Sequence, residues 1–317
     1  MKRFITRSIL FAALVVGVIG GLCALEISAE IRAYRRELVA PDGASLAVCS
    51  DSQLGDSVDP EVCPAFFNFS AHGRTLDQGL MVMGDLLRAN RGRFRVVVVD
   101  VSPSAAVWPL DLPIDKMLFS GNYWLLHYLH FRENTRDMGA GFRVARDCLV
   151  GRRLRHFWRA VRGKVVFHSS LRGMFTPQEG VLKADEPEQY AGLLRTKAGE
   201  ARGSGDIDFG SPVFVPLAKM AELAQEHGVE LVLVTAPWSR DLIDLCGEAE
   251  LDRCTAVVAR WASARNVRYL NFLKEPFPDD CWYDGNHLND KGARLFTPML
   301  FDAVGKRDAP LDRAAAP

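Results

Sequence analysis

The period of the hydrophobic positions changes along the chain, and the changes outline its elements. Leu76, Leu80, Met83 and Leu87 recur at helical spacing, which predicts an amphipathic helix. Phe94 to Val101 (FRVVVVDV) is a continuous apolar run dominated by valine, which predicts a strand buried on both faces, as in a parallel sheet. Val229 to Thr235 (VELVLVT) reads the same way, after a helix carried by Pro216, Met220, Leu223 and Ala224 and stopped by Gly228. Shorter strands are expected at Leu46 to Ser50, Ala65 to Phe69 and Val267 to Asn271, and further helices at Ala249 to Ala264 and Asn289 to Val304. Strands alternating with helices predict an α/β fold of three layers around a parallel central sheet.

The N-terminus breaks this pattern. Ile9 to Leu25 carries no polar side chain and would span about 25 Å as a helix, close to the hydrocarbon core of a bilayer. Lys2, Arg3 and Arg7 precede it. A cleaved signal peptide has a similar start, but Ile27-Ser28-Ala29 is a poor cleavage site, and Leu22 occupies the small-residue position of a lipobox before Cys23. The reading is an uncleaved signal anchor, a transmembrane helix over residues 9–27, with residues 1–8 in the cytoplasm and 28–41 as a stalk. A cleaved signal is the alternative. Arg32, Arg35 and Arg36 weaken the charge asymmetry that sets orientation, and the very short leading segment favours its cytoplasmic placement. The catalytic domain, residues 42–305, is then extracytoplasmic, facing the cell envelope or periplasm. A loop or cap insertion is expected at about 120–210 and a flexible tail at 306–317.

Composition narrows the function classes. Lys+Arg and Asp+Glu both number 39, so the net charge of zero argues against nucleic-acid binding through a net basic surface. Hydrophobic residues at 48% and charged residues at 25% exclude a largely disordered chain. The six cysteines beyond Cys23 (Cys49, Cys63, Cys148, Cys246, Cys254 and Cys281) are an even set, as in an exported disulfide-bonded domain. Reduced core thiols are the alternative. No C-x-x-C pair occurs, and His127 and His130 have no third ligand beside them, so neither metal nor cofactor is expected. The stretch His127 to Lys164 is rich in arginine, with Phe157 and Trp158 among the charges; it reads as a surface for an anionic polymer or lipid headgroups, or as solvated helix faces.

Three short stretches carry candidate chemistry. Ser50-Asp51-Ser52-Gln53 follows the first strand, at the carboxyl edge where parallel sheets bind ligands. A helix starting there would aim N–H groups at a developing oxyanion. Asn68-Phe69-Ser70-Ala71-His72-Gly73 follows the second strand, and Gly73 could offer an unobstructed N–H. Asp284-Gly285-Asn286-His287-Leu288-Asn289 precedes the last helix, and its aspartate can orient the histidine as a general base. Each stretch alone is compatible with a plain cap or turn.

Together they resemble the SGNH (GDSL-like) hydrolases over about Leu46 to Val304, with the middle third matched only loosely. The likeness is strongest to the membrane-anchored envelope branch, which includes proteins of alginate O-acetylation and teichoic-acid D-alanylation. It rests on Ser50-Asp51-Ser52, Asp59-Pro60, Asn68, Gly73, Ala236-Pro237 and, most specifically, Tyr283-Asp284-x-x-His287-Leu288-Asn289-x-Lys291-Gly292. The resemblance implies a flavodoxin-like SGNH fold, with Ser52 as nucleophile, His287 as base and Asp284 as its orienting partner. It also implies an oxyanion hole from the N–H groups of Ser52, or its neighbour Gln53, and Gly73. Asn68, His72 and Asn122 are candidate substrate contacts.

The chain departs from the family pattern in three places. Ser50 stands where the family has glycine, and a literal Gly55-Asp56-Ser57 follows five residues later. Ser52 is preferred because it directly follows the strand. Ser102-Pro103-Ser104 replaces the usual Gly-x-Asn-Asp block, leaving Asn122 as a weak substitute for its asparagine. The leading reading is a serine esterase that removes acyl groups, acetyl foremost, from an envelope polysaccharide or glycolipid. An O-acyltransferase with the same triad, served by a multi-span membrane acyltransferase, is the second. A non-catalytic module binding an envelope polymer is the third.

Overall fold

In the computed structural model the structure describes residues 31–71, 74–103 and 214–306, with isolated positions between 6 and 28. The chain divides into two compact units, and Leu38–Leu112 with Gly173–Pro317 form the one that holds the sheet. Of the other, residues 31–37 are helical.

The sheet unit runs β1 (Leu46–Val48), α1 (Ser52–Gly55), β2 (Phe66–Asn68), α2 (Leu76–Ala89), β3 (Val96–Asp100), α3 (Phe214–Glu226), β4 (Glu230–Thr235), α4 (Arg240–Cys246), α5 (Glu248–Ala264), β5 (Arg268–Asn271) and α6 (Asp290–Gly305). The strands form one sheet in the order β2-β1-β3-β4-β5, and every pairing is parallel. Leu46 pairs with both Phe66 and Val96, so β1 is flanked by the two strands that follow it. The expected α/β architecture with a parallel centre is therefore present. The all-valine start of β3 is buried throughout, as two covered faces require.

Alternate residues feed two layers. Leu46, Val48, Val96, Val98, Val232 and Val234 join Phe296, Leu300 and Val304 of α6 in one core. On the other side α2 comes close to β1 at Gly79, where an added Cβ would lie 3.2 Å from Met220 of α3 and 3.9 Å from the Cys49 carbonyl. Phe214 of α3 stacks on Trp261 of α5 at 5.6 Å. Two local devices set the helix starts. Thr75 and Gln78 form a reciprocal capping box on α2, and Asn289 caps α6 by accepting from the Gly292 N–H at 3.1 Å. Gly228, with φ of 66°, ends α3 in a conformation that favours glycine, as its place in the sequence predicts.

The cysteine expectation is corrected. No disulfide joins any of the five cysteines among the described residues. The Cys49 thiol donates to the Gly79 carbonyl at 3.4 Å on the α2 side of the sheet, whereas Cys63 packs against the core that α6 covers. The two therefore face opposite layers. Cys23 and Cys148 lie outside the described residues, as do most of the apolar segment Ile9 to Leu25, the arginine-rich stretch and the 120–210 insertion. Among the described residues no helix is long and apolar enough to cross a membrane.

Gly292, in the first turn of α6, makes the tightest approach among the described glycines. A Cβ there would meet the Cys281 carbonyl oxygen at 2.4 Å and Leu288 Cδ2 at 2.9 Å. Gly292→Ala is expected to cost roughly 1–3 kcal/mol of stability through forced displacement, read as a lowered thermal midpoint.

Candidate active site

In a doubly wound sheet, ligands bind outside the carboxyl edge where the strand order reverses. Here the reversal lies at β1, which sends the chain first to β2 on one side and then to β3 on the other. Ser52 leaves the carboxyl end of β1 at that point, as the first residue of α1. Asp51 caps α1, its carboxylate accepting from the Gln53 N–H at 3.1 Å.

The triad candidates converge. His287 Nε2 lies 2.9 Å from Ser52 Oγ, and His287 Nδ1 lies 2.9 and 2.8 Å from the two carboxylate oxygens of Asp284. The short Asp-to-His spacing works because the loop folds back on itself. Asp284 Oδ1 also accepts from the N–H groups of Asn286 at 2.9 Å and His287 at 2.8 Å. The carboxylate thereby fixes both the turn and the ring. An Nδ1 that donates to Asp284 leaves Nε2 as the acceptor for the serine proton.

The charges agree with this arrangement. Burial pushes the Asp284 carboxyl up, but the hydrogen bonds and charge of His287 and the two backbone N–H groups outweigh it, so its pKa falls below the usual value. Burial likewise disfavours the His287 imidazolium, yet Asp284, with Asp56 and Asp51 behind it, raises the ring above its ordinary value. Asp51 is itself pushed up by burial against the attraction of His287. Asp100, at the end of β3, is pushed well above the carboxylate range by burial and by neighbouring Asp51. A base works only when neutral. Any reaction that uses His287 as its base should therefore fall away as pH drops through the raised His287 pKa, with its half-maximal point above the ordinary histidine value of about 6.5. A pH profile of kcat/KM checks this; a midpoint below that value would contradict it.

The literal Gly55-Asp56-Ser57 has a different task. Ser57 is buried and donates to the Gln53 carbonyl at 2.5 Å. Gly55 permits a close approach, since a Cβ there would stand 2.7 Å from Ser70 Cβ. Ser50, the other departure, is equally engaged: its Oγ accepts from the Asp100 N–H at 3.0 Å, tying β1 to β3 as glycine could not.

Two expectations need correction. Gln53 is no open oxyanion donor, because its N–H is already given to Asp51. The Ser52 N–H makes no hydrogen bond among the described residues and stays a candidate for that role. Asn68 is a brace, not a substrate contact. Its Nδ2 donates to the carbonyls of Gly55 at 2.7 Å and Val58 at 2.8 Å, and its Oδ1 accepts from the Ser70 N–H at 3.2 Å. This pins α1 to the end of β2. Gly73, His72 and Asn122 lie outside the described residues.

Sequence reasoning missed several neighbours of the site. Asp100 was legible as a carboxylate closing a run of four valines, a costly position that calls for donors. It accepts from the N–H groups of Ala236 and Ser102, both at 3.2 Å. α4 is too short for periodicity to reveal, and its one signal is the capping Ser239. Among the described residues no cluster of histidine, cysteine or carboxylate could hold a metal ion.

No protein-family model and no curated protein matches the chain. Solved structures do resemble it, two of them at the following levels. One is a candidate acylhydrolase from Bacteroides fragilis, 10% identical, with a TM-score of 0.41 over 86% of this chain and 92% of that one. The other is a GDSL-like lipase from Bacteroides thetaiotaomicron, 11% identical, with a TM-score of 0.41 over 86% of this chain and 94% of that one.

Proposed function

We propose that this chain is a serine esterase acting on acyl groups, acetyl foremost, of a cell-envelope polysaccharide or glycolipid. The observation that carries the reading is the continuous relay from Ser52 Oγ through His287 to Asp284 at the carboxyl edge of β1. In the proposed reaction His287 Nε2 takes the Ser52 proton as Oγ attacks the ester carbonyl. The Ser52 N–H faces the oxyanion. His287 then returns the proton to the leaving alcohol, and water, deprotonated by the same ring, releases the acid. Asp284 holds the imidazole and stabilises its charged form throughout.

The envelope setting is supported by the apolar segment Ile9 to Leu25 behind a basic start. On this reading the chain is anchored in the membrane with its catalytic domain on the extracytoplasmic side. The basic, aromatic-containing His127 to Lys164 stretch suits an anionic polymer as acyl carrier.

Intact-mass analysis of the protein after treatment with a fluorophosphonate tests the proposal. One adduct on the wild type and none on Ser52→Ala supports an activated serine. No adduct on folded wild type would overturn the esterase reading. An adduct that forms without release of acid from acylated polysaccharide would turn the assignment to the acyltransferase, whose acyl-Ser52 passes to a sugar hydroxyl.

A further inference from the structure

The two catalytic segments are short and weakly held by themselves. α1 has four residues, fewer than an isolated helix needs, and Ser52 sits in its first position. The acid–base loop is closed locally by the Asp284 carboxylate and by the Tyr283 N–H on the His287 carbonyl at 2.9 Å, contacts that fix its own turn but not its distance from α1. We propose that the turn between β4 and α4, Ala236 to Ser239, is a positioning element that holds both segments in register, with Trp238 as its central residue.

Trp238 reaches the nucleophile side. Its indole Nε1 donates to Gln53 Oε1 at 3.4 Å, and Gln53 directly follows Ser52. Ser239 reaches the base side. Its N–H donates at 2.9 Å to the carbonyl of Gly285, which lies between Asp284 and His287. α4 then presses on the same loop, because a Cβ at Gly285 would stand 3.2 Å from Leu242. The turn itself is anchored below. The Ala236 N–H donates to Asp100 at the end of β3, and the Trp238 N–H donates to the Leu273 carbonyl at 3.0 Å. The indole is almost fully buried in a small core of its own with Leu242, Ile243, Leu251 and Leu273.

This assembly links β3, the chain after β5, α1 and the acid–base loop through four consecutive residues. None of the four bonds to Ser52 Oγ or to the His287 ring, so their effect passes through Gln53 and Gly285. A hydrogen bond between Ser52 and His287 is sensitive to the relative placement of its two segments. Misplacement of about 1 Å can cost on the order of a hundredfold in rate. Trp238 at the β4–α4 turn therefore sets alignment, and substrate affinity is left to other residues.

The inference deepens the esterase reading and rests on it for its kinetic arm. The test uses the full chain and three variants, Trp238→Phe, Gln53→Met and the double. Steady-state hydrolysis of p-nitrophenyl acetate gives kcat and KM. Proton NMR follows the downfield Nδ1–H resonance of His287, which reports the Asp284 contact without any substrate. Each single variant should lose about tenfold in kcat with KM within about twofold, and the double should be no worse than the poorer single. The His287 resonance should broaden in both singles. Full kcat in Gln53→Met, or losses that multiply in the double, would overturn the proposal. Should Trp238→Phe fail to fold, Gln53→Met alone decides by the same two readouts. A wild type that neither hydrolyses the ester nor takes a fluorophosphonate defeats the esterase reading separately. The His287 resonance then decides on the turn, and an unchanged resonance in both singles rejects it.

Discussion

Replacing Ser52 with alanine is expected to remove about 10⁴- to 10⁶-fold of ester-hydrolysing turnover while leaving the fold intact. The hydroxyl is a single atom at the start of α1, and its partner within the protein is His287. Removing it costs little packing, because Ser52 is half-buried and not part of the core. Ser57→Ala is the informative control. That serine belongs to the literal Gly-Asp-Ser string, and a motif search would choose it. Its hydroxyl instead donates to the Gln53 carbonyl in a buried site. Ser57→Ala should therefore cost about 1 kcal/mol of stability and keep most of the activity. Turnover kinetics and denaturant unfolding on both variants separate the two serines. An inactive Ser57→Ala beside an active Ser52→Ala would reverse the assignment.

Asp284→Asn carries the second large effect, a loss of about 10⁴-fold in kcat. The amide can present its Nδ2 donor toward His287 Nδ1, which favours the tautomer whose proton sits on Nε2 and cannot accept from Ser52. Asp284 Oδ1 also receives the Asn286 and His287 N–H groups, so the amide must keep its oxygen there and face the ring with its nitrogen. The charge that raises His287 disappears as well. The residual activity should then titrate at lower pH than the wild type. A residual profile with the wild-type midpoint would mean that Asp284 is not the group governing His287. His287→Ala, by contrast, removes the base itself and should leave no such titration.

Much of this arrangement was readable from residue order, and the exceptions have physical reasons. The β3 and β4 strands announce themselves because burial on both faces demands unbroken apolar runs, and Val96 to Val99 and Leu231 to Val234 supply them. The last helix is announced by its cap and glycine. The three triad candidates could be picked out because each sits at an element boundary, where a polar residue must either cap, turn or react. What stayed hidden depends on partners distant in sequence. Asn68 looks like a substrate-facing amide until Gly55 and Val58 are found against it. Gln53 looks like a free donor until Asp51 turns toward it. Trp238 reads as one more apolar residue after a strand, and nothing local tells that its N–H meets α1. The cysteines mislead for the same reason: their even number is a property of composition, whereas pairing needs two thiols within bonding reach of each other.

The Ser52–His287 hydrogen bond spans 235 residues of sequence. A growing chain emerges from its N-terminus, and domains fold as their segments become available. Ser52 is among the first groups of the sheet unit to be synthesised and His287 among the last. β1, α1 and β2 can form while the acid–base loop is still unmade, and until α6 docks Ser52 is an ordinary alcohol. On the proposed reading Ser52 thus lacks its base until the chain is complete, and any cut that removes the C-terminal segment separates it from His287 without touching the serine.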